Sequence, residues 1–396
     1  MKSIDRRRPL VLAALLAALI LVSCEEGAAG IFSYVADAES TSDNSTKALE
    51  SSSPTFVARL GTTYYAGIGT LWKKADGDSS WTQADTSDVT SKTLIPSAGV
   101  VIPITGTDTL FVAFTEAVSR DDIGVRWTND GATWAQVTGL PPGERIKAVL
   151  AANNIVFVVT GNVRSDTEAD AEYSIYSSAT TAFTPTAIID NIEIGVPTSV
   201  AWNGANYIFT AGGKLIRGAD AGSLTVVASG PADWASIDDT PTYGGVCTDG
   251  TNFFVSGRYG KLYYSADNGI SWLSSTSAYT DSSGDAYSLS APTYIDYVTK
   301  QVLVVGTNSK YRSSSDSPSV DGYLEFDISG GFTATMAEDD THELISSATN
   351  FESSLAGASI NGMPYFSAEG KIFAMTAGDG LWSNTYDTAW GGWQQE

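Results

Sequence analysis

The feature that most constrains this chain is a short apolar hairpin that returns seven times. Four copies read Phe56–Leu60 with Tyr64–Gly67, Val101–Ile104 with Leu110–Phe114, Ala148–Leu150 with Ile155–Val159, and Ser199–Trp202 with Tyr207–Thr210. Three more read Gly245–Cys247 with Phe253–Ser256, Tyr294–Tyr297 with Val302–Val305, and Pro364–Ser367 with Ile372–Met375. Turns such as Asn203-Gly204, Asp249-Gly250 and Glu369-Gly370 separate the halves, and those residue types accept the positive φ of tight reversals. Each half is a short, nearly continuous apolar run, the mark of a strand buried on both faces. One hairpin cannot cover two faces by itself, so the units must stack, and closing the stack into a ring leaves no end exposed. A repeat of about 45–60 residues fits four-stranded propeller blades with long connections. The expected fold is therefore an all-β propeller over residues 54–396. The hairpins count seven blades, with six or eight left open.

Composition permits this. The 396 residues are 43% hydrophobic and 17% charged, which excludes a disordered chain and allows a large core. The net charge of -23 argues against nucleic acid as a partner, because a surface this acidic repels phosphate backbones. Anionic lipid headgroups are repelled for the same reason, so any membrane attachment must come from something other than charge.

The N-terminus offers such an attachment. Lys2 and Arg6-Arg7-Arg8 precede an apolar run, Pro9 to Val22, which ends at Ser23-Cys24. A basic head, an apolar stretch and a small residue before the cut describe a secretory signal over residues 1–23. The run falls short of the ~20 residues that a membrane span needs. Leu21-Val22-Ser23-Cys24 resembles the lipobox of bacterial lipoproteins. That resemblance implies lipidation of Cys24 and an anchored, extracytoplasmic place in the bacterial cell envelope, periplasmic or at the cell surface. Acyl chains hold firmly, at ~0.8 kcal/mol per buried methylene. Cys247 would then be the sole free thiol, so no internal disulfide is expected, and its apolar setting reads as core. Residues 24–53, rich in Ser, Thr, Ala and acids, read as a flexible tether. Gly30–Tyr34 within it is strand-like, and would either add to the last blade or begin an eighth.

A second pattern follows the third strand of several units. Ser265-Ala266-Asp267-Asn268-Gly269-Ile270-Ser271-Trp272 resembles the Asp-box (BNR repeat) of sialidase-like propellers. Trp127 to Trp134 keeps Gly131, Thr133 and Trp134 but puts Asn129 in the aspartate slot. Lys74 to Trp81 keeps Asp76 and Trp81, Gly218 to Gly222 keeps Asp220 and Gly222, and Ser383 to Trp390 keeps little beyond its ends. In such a turn the carboxylate accepts local N–H groups, the glycine permits the reversal, and the Trp buries its indole between blades. The resemblance therefore implies a scaffold and assigns no activity.

Chemistry is harder to find. A sialidase-like site would need three arginines, a Tyr–Glu pair and an acidic Asp, and Ala58-Arg59-Leu60-Gly61 is a poor substitute for that family's Phe-Arg-Ile-Pro segment. His342 is the one histidine, in the acidic run Glu338 to Glu343, with no Gly-x-Ser-x-Gly elbow to accompany it. Zinc or copper would need His or Cys clusters. The pairs Asp121-Asp122, Asp238-Asp239 and Asp339-Asp340 lack calcium-loop spacing. No catalytic residue, metal ligand or cofactor is assigned on these grounds. The expected function is a membrane-anchored, non-enzymatic module that binds proteins or glycans, or assists assembly of other envelope proteins. The alternative is a cell-envelope glycoside hydrolase using acidic residues in the central funnel.

Overall fold

Alternate residues of a β-strand point to opposite sides, so a strand apolar at every position needs neighbours on both faces. The computed structural model describes Leu49 and residues 53–396, apart from 91–92, 120–121, 162–171, 193–194, 228–242, 258–259, 277, 281–285, 298–299, 309–321, 337–354, 356 and 386–391. Within it the seven hairpins are the first two strands of seven antiparallel sheets, arranged as a β-propeller.

Blade 1 comprises Phe56–Leu60, Thr63–Ile68, Thr70–Ala75 and Thr82–Gln83, and blade 2 comprises Leu94–Ile104, Thr107–Glu116, Asp122–Thr128 and Ala135–Gln136. Blade 3 has Arg145–Ala152, Ile155–Gly161, Tyr173–Ser178 and Ile189–Ile192; blade 4 has Pro197–Trp202, Tyr207–Ala211, Lys214–Gly218 and Thr225–Val226. Blade 5 runs Tyr243–Thr248, Phe253–Gly257, Leu262–Ser265 and Leu273–Ser274. Blade 6 runs Leu289–Asp296, Gln301–Thr307 and Tyr323–Asp327, with the chain through Phe332 following where the other blades place a fourth strand. In blade 7 the first strand comes in two pieces, Ile360–Gly362 and Tyr365–Phe366, either side of Met363-Pro364, and Lys371–Thr376, Leu381–Thr385 and Gln394–Gln395 follow.

The second strands show why the blades must stack. In blade 2, Leu110, Val112 and Phe114 enter a core shared with blade 1, while Phe111 and Ala113 enter one shared with blade 3. Phe157 and Val159 face blade 4 while Val156 and Val158 face blade 2. The same split recurs at Ile208 and Phe209, Phe253 and Phe254, Leu303 and Val304, and Ile372 and Phe373. Seven blades share seven such seams, the seventh joining blade 7 to blade 1 through Val57, Tyr64, Trp81, Phe373 and Leu381. The ring is closed.

Phe56–Leu60 meets the expectation of burial on both faces at every position but Arg59, whereas other first strands depart from it. Arg145–Ala152 and Pro197–Trp202 are only partly covered at most positions, because first strands neighbour one another around the axis. Hydroxyls stitch them together: Thr55 Oγ1 donates to Pro96 O at 3.0 Å, Ser199 Oγ to Val246 O at 3.1 Å, and Thr293 Oγ1 to Met363 O at 2.7 Å.

One bulky side chain from each blade wedges into the seam with the blade before it. They are Trp81, Trp134, Phe183, Leu224, Trp272, Phe332 and Trp393. In blades 1, 2, 4, 5 and 7 the wedge is the residue just before the fourth strand. Trp81 meets Phe373 edge-on at 6.5 Å, Phe332 stacks on Tyr264 at 5.3 Å, and Trp393 meets Tyr323 edge-on at 5.6 Å. Truncating a buried aromatic to Ala costs about 3–5 kcal/mol. Trp134→Ala and Phe332→Ala should each lower unfolding free energy in urea by that amount, about 3–5 kcal/mol. Val118→Ala, at a residue 88% exposed, should change it by less than ~0.5 kcal/mol.

Candidate functional site

Antiparallel strands fix which connections share an end of the ring. The turns from first to second strand and from third to fourth strand lie at one end. The connections from second to third strand, and from blade to blade, leave the other.

The turn end holds the aspartates singled out in the sequence. Asp267 Oδ1 accepts the Ile270 and Ser271 amides at 3.1 and 2.8 Å, and the Ser265 hydroxyl at 2.8 Å. Ser265 Oγ in turn accepts the Gly269 amide at 2.8 Å. Burial works against the Asp267 charge, but the Ser271 hydroxyl and amide, with Ser265 and Ile270, prevail and bring its pKa to about 2. Gly269 has φ +78°, and a Cβ there would stand 2.6 Å from Ile208 Cδ1 of blade 4. Glycine is required on both counts.

The blade 2 turn uses a neighbouring residue. The sequence reading set Asn129 in the aspartate slot, yet the acceptor is Asp130, whose Oδ1 takes the Ala132 and Thr133 amides at 2.8 Å each and the Thr128 hydroxyl at 2.9 Å. Those amides and that hydroxyl depress the Asp130 pKa strongly. This turn is one residue shorter than the blade 5 turn, which moves the acid up against Gly131. Gly131 has φ +70° and a Cβ on it would collide with the Tyr65 hydroxyl of blade 1. Trp134 is 5% exposed, and its Nε1 donates to Asp85 O at 3.1 Å.

The two remaining turns differ more. In blade 1 it is Asp78 whose carboxylate accepts the Ala75 amide at 3.2 Å, while Asp76 turns to Arg59, 3.0 Å from Nη2. Trp81 donates from Nε1 to Glu396 at 2.9 Å. In blade 4 Asp220 Oδ1 accepts the Gly222 amide at 2.8 Å, and Leu224 fills the seam in place of Trp. Trp390 lies outside the described residues, and the blade 7 wedge is Trp393. Phe183, Leu224, Phe332 and Trp393 were not picked out from sequence. Their one shared signal is a large apolar residue shortly after the third strand.

The loop end carries the polar groups with a chemistry to consider. Glu144 accepts from the hydroxyls of Thr160 and Tyr176, the latter at 3.5 Å, and Ser174 Oγ donates to Asp190 at 3.0 Å. Burial and then the charges of Glu144 and Asp190 push the Tyr176 pKa up to about 12. The raised pKa favours the protonated hydroxyl, which donates to Glu144. Across the ring, Asn308 Nδ2 donates to Asn361 Oδ1 at 2.6 Å. Toward the turn end, Glu325, 1% exposed, pairs with Lys300 Nζ, from the connection between the first two strands of blade 6, at 2.7 Å. Desolvation of the half-buried Cys247 thiol, near the turn end of blade 5, raises its pKa and lowers its thiolate fraction.

Among the described residues no three His, Cys, Asp or Glu side chains gather as a metal site, and no helix is long and apolar enough to cross a membrane. Cys24, Gly30–Tyr34, His342, Asp121, Asp238-Asp239 and Asp339-Asp340 lie outside the described residues.

No protein-family profile matches the sequence, and no curated protein matches it. Solved structures do share the fold. An ancestral GH74 enzyme superimposes with a TM-score of 0.57 at 15% identity over 88% of this chain, which spans 49% of that enzyme's length. YCF48 bound to a D1 peptide superimposes with a TM-score of 0.54 at 12% identity, over 85% of this chain and 93% of that one. At these identities the likeness concerns the propeller alone.

The Asp267 turn yields a pH test. A carboxyl whose pKa falls on folding adds stability above its unfolded value, and that stability is lost as pH falls from 3.8 to about 2. Asp267→Asn should lower stability at pH 7 by about 1–2 kcal/mol. The gap between wild type and variant should shrink below pH 4 and vanish near pH 2 in urea titrations at each pH.

Proposed function

We propose that this chain is a cell-envelope lipoprotein, anchored through Cys24, whose propeller binds a protein or glycan partner and performs no catalysis. Its turns at one end are Asp-box turns that serve as fasteners between blades, and its binding surface is the opposite, loop end. The observation that carries this reading is how the polar groups divide. At the turn end the carboxylates of Asp78, Asp130, Asp220 and Asp267 are each spent on amides of their own turn. The loop end, in contrast, holds the strand ends that flank long intervals: Gly161 to Tyr173, Val226 to Tyr243, Ser274 to Leu289 and Thr307 to Tyr323. Long connections on a rigid scaffold are where recognition surfaces are built. YCF48, a propeller of similar extent, has been captured with a peptide, which supports a peptide-binding role for this architecture.

The alternative is glycoside hydrolysis, and the ancestral GH74 enzyme keeps the question worth testing. Its chemistry would need two carboxylates facing one glycosidic bond. Glu144 and Glu325 are instead held by Thr160 and Tyr176, and by Lys300.

The test is capture of envelope proteins and glycans on the purified anchored protein, beside hydrolysis assays on a glycoside panel. A saturable partner whose binding is lost when the Gly161–Tyr173 interval is replaced by a short Gly-Ser linker, with no turnover, is the expected result. Turnover that disappears in Glu144→Gln would overturn the reading in favour of a hydrolase. Export is tested separately: Cys24→Ser should release the protein from membranes into the soluble fraction.

A further inference from the structure

The seam between blade 7 and blade 1 differs from the other six. Neighbouring blades elsewhere follow each other along the chain, so a covalent connection keeps them at high local concentration. Blades 1 and 7 lie at opposite ends of the ring-forming sequence. Among the described residues no strand is shared between them either: blade 1 is drawn from residues 56–83 and blade 7 from residues 360–395. Side-chain contacts and one backbone bond to Leu49 hold this joint among the described residues.

The side chains do so with charge. Glu396, its side chain 5% exposed, receives Lys74 of blade 1 at 2.5 Å and Lys371 of blade 7 at 2.9 Å. The Trp81 indole reaches the same carboxylate at 2.9 Å, and the Ser383 hydroxyl at 2.6 Å. Arg59 of blade 1 grips Glu369 of blade 7 at 2.6 Å while also holding Asp76. Both the Arg59–Glu369 and the Lys74–Glu396 pairs cross this seam. A third element lies against it. Leu49, 1% exposed, sits in the same core, and its carbonyl accepts the Leu381 amide at 3.2 Å.

We infer that this seam is the opening point of the ring, held shut by a latch at Glu396 and a strap at Leu49. The strap means that a pull on the stretch leading into the propeller acts directly on the joint. Opening would expose Tyr64, Trp81, Phe366 and Phe373, an aromatic cluster sealed while the latch holds.

Native-state hydrogen exchange on the full chain tests this. In the wild type, Phe56–Ile68 and Lys371–Thr385 should exchange roughly tenfold or more faster than Ile155–Gly161 and Tyr207–Ala211, through an opening smaller than global unfolding. Glu396→Gln keeps the shape and removes the charge, and Leu49→Ala shortens the strap. Each should speed exchange at blades 1 and 7 about tenfold again and leave blades 3 and 4 unchanged. Equal protection around the wild-type ring, or variants that accelerate every blade alike, would overturn the inference. The wild-type comparison stands even where a variant fails to fold.

Discussion

Burial of both faces of the second strand is the constraint on which the rest of this structure depends. Ile155–Gly161 sends Val156 and Val158 into one seam and Phe157 and Val159 into the next, so blade 3 cannot exist without blades 2 and 4. Repeating that demand seven times leaves one solution with no bare face, a closed ring. The wedges follow from it. A seam between two twisted sheets widens toward their outer edges, and a Trp, Phe or Leu set before the fourth strand fills the gap. The Asp-centred turns hold that residue at the right angle, which is why Gly269 and Gly131 each sit against a side chain of the preceding blade.

Much of this was legible in the sequence, and the reason is local. The hairpins announce themselves through uninterrupted apolar runs and Gly-containing turns, so the seven-blade count needed no long-range information. The fourth strands did not, because pairs such as Thr82–Gln83 and Ala135–Gln136 are two residues long and partly exposed. A pattern search that expects Asp at one fixed position picks Asn129 and misses Asp130, since what the physics requires is a carboxylate near the amides that follow. Phe183 and Leu224 escaped because burial accepts any large apolar group and a motif does not. Glu396 was invisible for a different reason. Its partners Lys74 and Trp81 lie 322 and 315 residues away, and no local pattern ties a surface-looking acid to them.

The functional reading rests on the same division of labour. Four turn-end carboxylates, Asp78, Asp130, Asp220 and Asp267, are used within their own turns, which leaves the loop end free to vary in length without loosening the ring. The propeller fold is shared with an enzyme and with a peptide-bound protein, so the fold by itself decides nothing about activity. What separates the two outcomes is whether the acids on this chain are held in structural bonds or aimed at a substrate. The buried ones described above are held.

The claim underneath all of this is that no blade is stable without two neighbours. It is tested most directly by removing residues 358–396, which strips blade 7 and bares one face each of blades 1 and 6. The account predicts that the remaining six blades lose their sharp urea transition and near-ultraviolet circular dichroism and bind a hydrophobic dye. A shortened protein that still unfolds in one steep transition, with its aromatic signal intact, would contradict it.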